Sequence, residues 1–261
     1  MSIRRIYAMV LRYWYYVIHS YDRLSDMFYW PAIDLLLFGL TIRYVQQQTG
    51  GGFNFMYTVI SGVFFWIIVW RAQYEITVNF LEELWNKNLV NLFVAPLNLN
   101  EWIVSVFIVG ILKMIASLFF IGALSFFLYR TDFLLYGWYL FPFTISLLLT
   151  GWVIGLLVTG IIIRFGTKIQ TIAWTAAVVI SPFSGVYYPT SVLPEWAQYV
   201  SKILPPSYIF ESTRQFVRTG QVQISDLLIS FGLNFFYLFL VIIYMKRSFE
   251  VAKKRGLISL F

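Results

Sequence analysis

Lys113 and Ser117 stand four residues apart in "GILKMIASLFF". On a helix that spacing puts both on one face, as a serine nucleophile and its lysine base require. No oxyanion feature accompanies them, and serine is a common packing residue in membrane helices. An intramembrane hydrolase is therefore kept only as the rival class. Other chemistry is thinner still. The chain has no cysteine, which removes thiolate catalysis and cysteine metal sites. Its one histidine, His19, lies beside arginines, whereas zinc needs three or four ligands together. The run "GIIIRFGTK" at 160–168 lacks the P-loop order of Gly, four residues, then Gly-Lys-Ser/Thr. No catalytic residue, metal ligand or bound cofactor is assigned to this chain.

Two charges fall within strongly apolar runs, Asp34 and Lys113. An ionised group there costs roughly 2.5–3.5 kcal/mol on insertion scales. Two readings stay open. Either the pair meets in the interior and steadies two helices, or Lys113 snorkels and Asp34 is protonated.

The elements that must position these residues follow from composition. Of 261 residues, 60% are hydrophobic and 12% charged, against about 45–50% and about 25% in an ordinary soluble domain. So much apolar surface calls for a bilayer as solvent. The expected fold class is an all-α polytopic membrane protein. Runs near 27–47, 54–74, 101–128, 137–163, 169–188 and 224–245 predict six transmembrane helices in one domain spanning 1–261. Within it lie an interfacial helix at 1–22, a bundle at 27–245 and a basic tail at 246–261. The turn "QQQTGGGFN" joins the first two spans. With both termini cytoplasmic, thirteen of the nineteen Lys and Arg fall on that side and five outside, as the positive-inside rule asks.

Residues 3–21 have helical periodicity. Ile3, Ile6, Tyr7, Val10, Trp14, Val17 and Ile18 share one side; Arg4, Arg5, Arg12 and His19 gather on the other. Such a helix is expected to lie in the interface with its cations toward lipid headgroups. The longest cytoplasmic connection, 74–102, carries Leu81, Leu84, Trp85, Leu89, Leu92 and Phe93 at helical spacing. Glu82, Glu83, Asn86, Lys87 and Asn91 fill the opposite face, and Pro96 ends the pattern. A lipid-surface helix normally carries a cationic polar face. This acidic, amide-rich one suits a protein partner better.

On the outer side, "SPFSGVYYPTSVLPEWAQYVSKILPPSYIFE" holds five of the eight prolines. It precludes one uninterrupted helix, yet Pro194 suits the first turn of a helix over 193–204. A pair of half-helices dipping toward the membrane is expected, covering a pathway, because irregular backbone at that depth must be buried or line a cavity. Aromatic residues of the second span, Phe64, Phe65 and Trp66, are candidates to line that path; core packing explains them nearly as well.

In order and placement, "EELWNKNLVNLFVAPLNLNEW" and "SGVYYPTSVLPEWAQYVSKILPPSYIFESTR" resemble the permease subunits of ABC-2-type exporters, the drug-resistance and nodulation-factor branch. The similarity covers almost the whole chain. It implies a coupling helix at 82–93 (Glu82, Glu83, Trp85, Asn86, Lys87, Asn88 and Leu89) docking into a separate ATP-binding subunit that holds the ATP and magnesium. It also implies a re-entrant outer gate at 187–218, with Tyr188, Pro189, Pro194, Trp196, Pro205, Pro206, Glu211 and Arg214. Two permease copies, as homodimer or close heterodimer, would stand over two ATPases in a bacterial inner membrane. The cargo would be a hydrophobic or amphiphilic drug, lipid or glycolipid-like molecule. The polysaccharide branch often has a Lys/Gly-rich start to its first span, which "RLSDMFYWPAIDLLLFGL" lacks; lipid-linked glycan export is the alternative. A passive channel, like the hydrolase, does not account for an acidic docking helix. Nucleic acid is not an expected partner.

Overall fold

A computed structural model describes residues 1–49 and 53–255, and among these every regular element is helical. The helices are α1 (Ile3–Ile18), α2 (Tyr21–Thr49), α3 (Phe53–Trp85), α4 (Leu89–Val94) and α5 (Leu99–Tyr129). After them come α6 (Leu140–Phe165), α7 (Ile172–Ile180), α8 (Glu195–Lys202), α9 (Pro205–Thr219) and α10 (Ile224–Arg255). Short 3-10 turns at Phe133–Tyr139, Gly166–Ile169, Ser181–Ser184 and Thr190–Val192 join the later ones. The glycine turn expected at 50–52 and the end of the basic tail, 256–261, lie outside the described residues.

Five stretches are long and apolar enough to cross a bilayer: Tyr21–Gln48, Met56–Trp85, Leu99–Tyr129, Phe133–Ile169 and Ile224–Lys254. The expected span at 169–188 is not among them. Its α7 has nine residues, followed by the turn at Ser181–Ser184. Pro182 removes a backbone donor there and Gly185 takes φ 68°, so the helix cannot continue. The other helices run longer than expected. At about 1.5 Å per residue, α3 is about 50 Å long, well beyond the roughly 30 Å hydrocarbon layer. Its last turns absorb the first part of the segment expected to be a loop at 74–102. Likewise α10 continues through Arg255, so the described part of the basic tail is helix.

Helix α3 is the centre. Of its most apolar stretch 83% is buried, against 22% for α2 and α10. It packs on α6, α5 and α2, and more lightly on α7 and α9. Small residues permit the closest of these contacts. A Cβ on Gly151 would fall 2.4 Å from the Ala72 Cβ and 2.7 Å from the Val69 carbonyl oxygen; one on Gly155 would crowd Ile76. Without a hydrophobic driving force between helices in lipid, such backbone approach is a principal source of association. Polar side chains tie α10 to α6 and α9. Thr150 donates to Asn234 Oδ1 at 2.9 Å, Asn234 Nδ2 donates to the Ser146 carbonyl at 2.9 Å, and Ser230 Oγ reaches the Pro205 carbonyl at 2.8 Å.

Candidate functional site

Three helices each turn one stripe toward a common groove. Every fourth residue of α2 contributes: Asp26, Trp30, Asp34 and Phe38. Val63, Trp66, Ile67, Trp70 and Tyr74 come from α3, and Trp174, Val178 and Ser181 from α7 and the turn after it. The cavity between them has a volume of about 620 Å³, within the range of small-molecule sites. Tyr187 closes one end, stacked on Phe38 with centroids 4.6 Å apart. Of the three aromatic residues expected to line a path, only Trp66 faces this groove. Phe64 stacks on Phe133 at 3.8 Å, and Phe65 meets Tyr136 and Phe143 edge-on. Both point away from the groove into the core.

At the inner end of the groove lies a buried charge network. Arg71 donates to Asp26 at 2.8 Å, and its second Nη bonds the Asp26 carbonyl. Lys113 pairs with Glu75, both side chains 2% exposed, and Arg23 pairs with Glu82. Asn79 bridges them, accepting from Arg23 at 3.1 Å and donating to the Glu75 carbonyl at 2.5 Å. Three cations thus meet three carboxylates, which allows charge to be buried at all. The network follows from a polar stripe on α3 at four-residue spacing, Arg71, Glu75 and Asn79.

This arrangement decides between readings that the sequence left open. Asp34 and Lys113 do not pair: Glu75, one helix nearer, takes the lysine, while Asp34 stands exposed at the groove without an ion pair among the described residues. Nor do Lys113 and Ser117 form a dyad. A carboxylate-bound ammonium has no lone pair to act as base, and Ser117 Oγ donates to the Met27 carbonyl at 3.0 Å. That carbonyl is the one Pro31, inside α2, cannot reach with an N–H. Ser117 therefore repairs a proline break in an apolar setting, as membrane helices require.

The segment between α3 and α5 also differs from the helix expected over 82–93. Helix α3 stops at Trp85, Lys87 takes φ 54°, and the six-residue α4 starts at Leu89. Glu82 and Glu83 face inward rather than forming an exposed acidic surface. Glu82 is spent on Arg23. Glu83, 3% exposed, accepts from Arg12 at 2.9 Å, Tyr13 at 3.1 Å and Asn88 Nδ2 at 2.6 Å. Burial, with the Glu83 charge adding to it, pushes the Tyr13 hydroxyl far above its ordinary value, so it stays a donor. The exposed tip is instead Trp85, Asn86, Lys87, Asn91, Ala95 and Pro96, with Asn88 half-buried and Leu89 buried. Trp85 stacks on Trp174 of the groove wall, centroids 6.2 Å apart and planes 10° apart, and donates to Gln170 at 2.9 Å.

Helix α1 is amphipathic as expected, but two of its arginines turn to protein. Arg12 goes to Glu83, and Arg5 to Glu101 at 2.6 Å, where the Asn98 N–H also donates to Glu101 at 3.0 Å. Met9, Tyr13 and Val17 form the packed face; Ile3, Tyr7 and Ile18 stay exposed beside it. Buried carboxylates outbid water for a flexible guanidinium, and the charge segregation alone did not reveal them.

At the opposite end of the groove, α8 and α9 form the two short helices expected there. Pro194 precedes α8, and Pro205 and Pro206 open α9, positions that need no N–H. Glu211 accepts from the Thr190 N–H at 2.6 Å and its hydroxyl at 2.9 Å. Arg214 donates to Glu211 at 3.1 Å and to the Gly185 carbonyl at 2.5 Å. Burial pushes the Glu211 carboxyl up, but Arg214 and Thr190 outweigh it and hold the group below the usual range. Tyr188 donates to the Pro182 carbonyl at 3.0 Å, fastening Pro189 behind it, while Trp196 is 63% exposed and meets Phe183 edge-on.

Reading the sequence located Trp66 and the two polar segments but missed Asp26, Trp30, Trp70 and Trp174 on the groove wall. The available signal was the four-residue spacing of Asp26, Trp30, Asp34 and Phe38. A family model described as ABC-2 type transporter matches residues 8–217, a span that takes in most of α1, the groove, the turn between α3 and α5 and most of α9. No curated protein matches the chain.

Proposed function

The chain belongs to the ABC-2 type transporter family, and on that premise we propose that it is the membrane-spanning permease of an ATP-driven exporter, powered by a separate ATP-binding subunit. The supporting observation is mechanical continuity. One unbroken helix, α3, lines the groove with Val63–Tyr74 and ends in the exposed cytoplasmic tip, where Trp85 stacks on Trp174 of the same groove. A push on the tip is thereby delivered to two walls of the cavity at once. The cargo on this reading is a hydrophobic or amphiphilic molecule held by the aromatic wall, with ATP and magnesium on the partner.

In the assembled exporter two permease copies set their α2–α3–α7 faces toward a shared pathway over two ATPases in a bacterial inner membrane. Both termini lie in the cytoplasm, which requires an even number of crossings. Residues 166–184 then supply the sixth, as a 3-10 turn, α7 and a second 3-10 turn in series. The α8–α9 pair seals the outer end between turnovers.

Co-purification tests this reading. Wild type is compared with Trp85→Ala/Lys87→Glu, a double variant on the exposed tip that leaves the Glu82 and Glu83 ion pairs intact. The expected result is a complex with an ATP-binding subunit that is lost in the variant while its melting temperature in detergent is kept. A complex indifferent to the variant removes the docking assignment. A well-folded chain that holds no ATPase under any condition returns the passive channel to the front.

A further inference from the structure

The groove has a charge character that the transport reading leaves unused. Its wall contains two charged side chains, Asp26 and Asp34, and no lysine, arginine or histidine. Asp26 is neutralised by Arg71. Asp34 forms no ion pair among the described residues and lies near the middle of the 29-residue α2. A carboxylate so placed is costly unless something meets it. The same cavity is lined by the rings of Trp30, Trp66, Trp70, Trp174 and Tyr187. Aromatic faces carry negative quadrupoles that attract cations, tryptophan most strongly and all the more where water is excluded.

We propose that the α2–α3–α7 groove binds a lipophilic organic cation, with Asp34 as its counter-charge and the tryptophan faces as its cage. This deepens the exporter reading by naming a cargo class, and rests on it only for the claim that the bound molecule is transported. An anionic amphiphile would meet an uncompensated like charge at Asp34. A neutral glycan could stack on the rings but would gain little from a full carboxylate. The volume of about 620 Å³ admits a drug-sized cation.

The test uses the purified full-length chain in detergent and two ions of matched shape and opposite charge, tetraphenylphosphonium and tetraphenylborate. Tryptophan fluorescence reads binding, since the probe sits against the rings. Wild type is expected to bind the phosphonium in preference to the borate. Asp34→Asn should weaken phosphonium binding at least tenfold, and Asp34→Glu should retain it within about threefold. Equal phosphonium affinity in wild type and Asp34→Asn overturns the proposal. So does borate binding to wild type as tightly as phosphonium, a result that needs no variant to fold. Neither measurement requires an ATPase. Selective cation binding with no ATP-binding subunit ever captured would leave the site standing and fail the permease reading. A captured subunit with no cation selectivity would do the reverse.

Discussion

Helix α2 turns two carboxylates, Asp26 and Asp34, eight residues apart on one stripe, toward one groove. Asp26 is closed: Arg71, its side chain 1% exposed, donates to it at 2.8 Å, and beyond Arg71 the Glu75–Lys113 pair continues the chain of compensation. Asp34 is open, exposed among aromatic rings, without a cation. Residue type, helix and face are the same, so neither propensity nor hydropathy separates the two. The neighbouring helix does. Where α3 presents Arg71 the carboxylate becomes a structural joint, and where it presents Trp66 and Trp70 the carboxylate is left for a ligand.

The sharpest way to break this contrast is to open the closed region. Lys113→Met leaves Glu75 as a buried charge without its partner, and Asp26→Asn does the same to Arg71. Removing one member of a buried pair costs roughly 3–5 kcal/mol. Thermal unfolding in detergent should show both variants as severely destabilised. Lys113→Met combined with Glu75→Leu should recover most of the loss, because two apolar side chains of similar volume replace two compensated charges. A double variant no more stable than Lys113→Met alone would mean the network is not pairwise, and that Asn79 and Arg23 hold Glu75 independently.

A milder break concerns the polar tie between α6 and α10. Asn234→Leu removes the bonds to Thr150 and Ser146 while keeping the volume. Hydrogen bonds between membrane helices average about 0.6 kcal/mol and reach about 1.7, so a loss of about 1–2 kcal/mol is expected. It should be clearly smaller than that of Lys113→Met. An equal loss would place the tie among the closed charge sites rather than below them.

The bundle and its two polar segments were legible because their signals are local: long apolar runs, a proline cluster, an amphipathic period. Partners were not. Glu82 and Glu83 read as a docking face because their charge is visible in sequence, whereas Arg12 and Arg23, some sixty to seventy positions earlier, are what claim them. Ser117 offered a rival reading as a nucleophile for the same reason; its true demand comes from Pro31, through a carbonyl that no sequence pattern displays. The span at 169–188 read as one continuous helix from its apolarity, whereas Pro182 and Gly185 shorten α7 without making the segment less apolar. Pairing across helices is a property of the packed fold, and one stripe at four-residue spacing does not say which neighbour it will meet.

A third carboxylate sharpens the comparison through pH. Glu211, held by Arg214 and Thr190, has its folded-state value below the unfolded one of about 4.3. Its stabilisation of the α8–α9 pair is therefore complete above that range and is lost as pH falls through the lower folded value. The protection of the Thr190 amide against hydrogen exchange, relative to the intrinsic rate at each pH, should fall at acid pH in wild type, and be low and less dependent on this titration in Glu211→Gln. A Thr190 amide equally protected in both would show that the backbone, not the carboxylate, fastens the loop.

The smallest effect is the most telling. Asp34→Asn changes neither volume nor any bond drawn among the described residues, and substitutions of that kind usually fall within about 0.5 kcal/mol. Removing a charge that has no partner in an apolar span should if anything stabilise the chain. The melting temperature of Asp34→Asn in detergent is therefore expected to equal or slightly exceed that of wild type, while Asp26→Asn melts far below it. Were Asp34→Asn to fall as far as Asp26→Asn, Asp34 would also be a joint, with a cation supplied by a second copy of the chain. The groove would then have no open carboxylate to offer a ligand. If only Asp26→Asn falls, α2 divides these two acids between holding the fold and leaving one charge available at the wall.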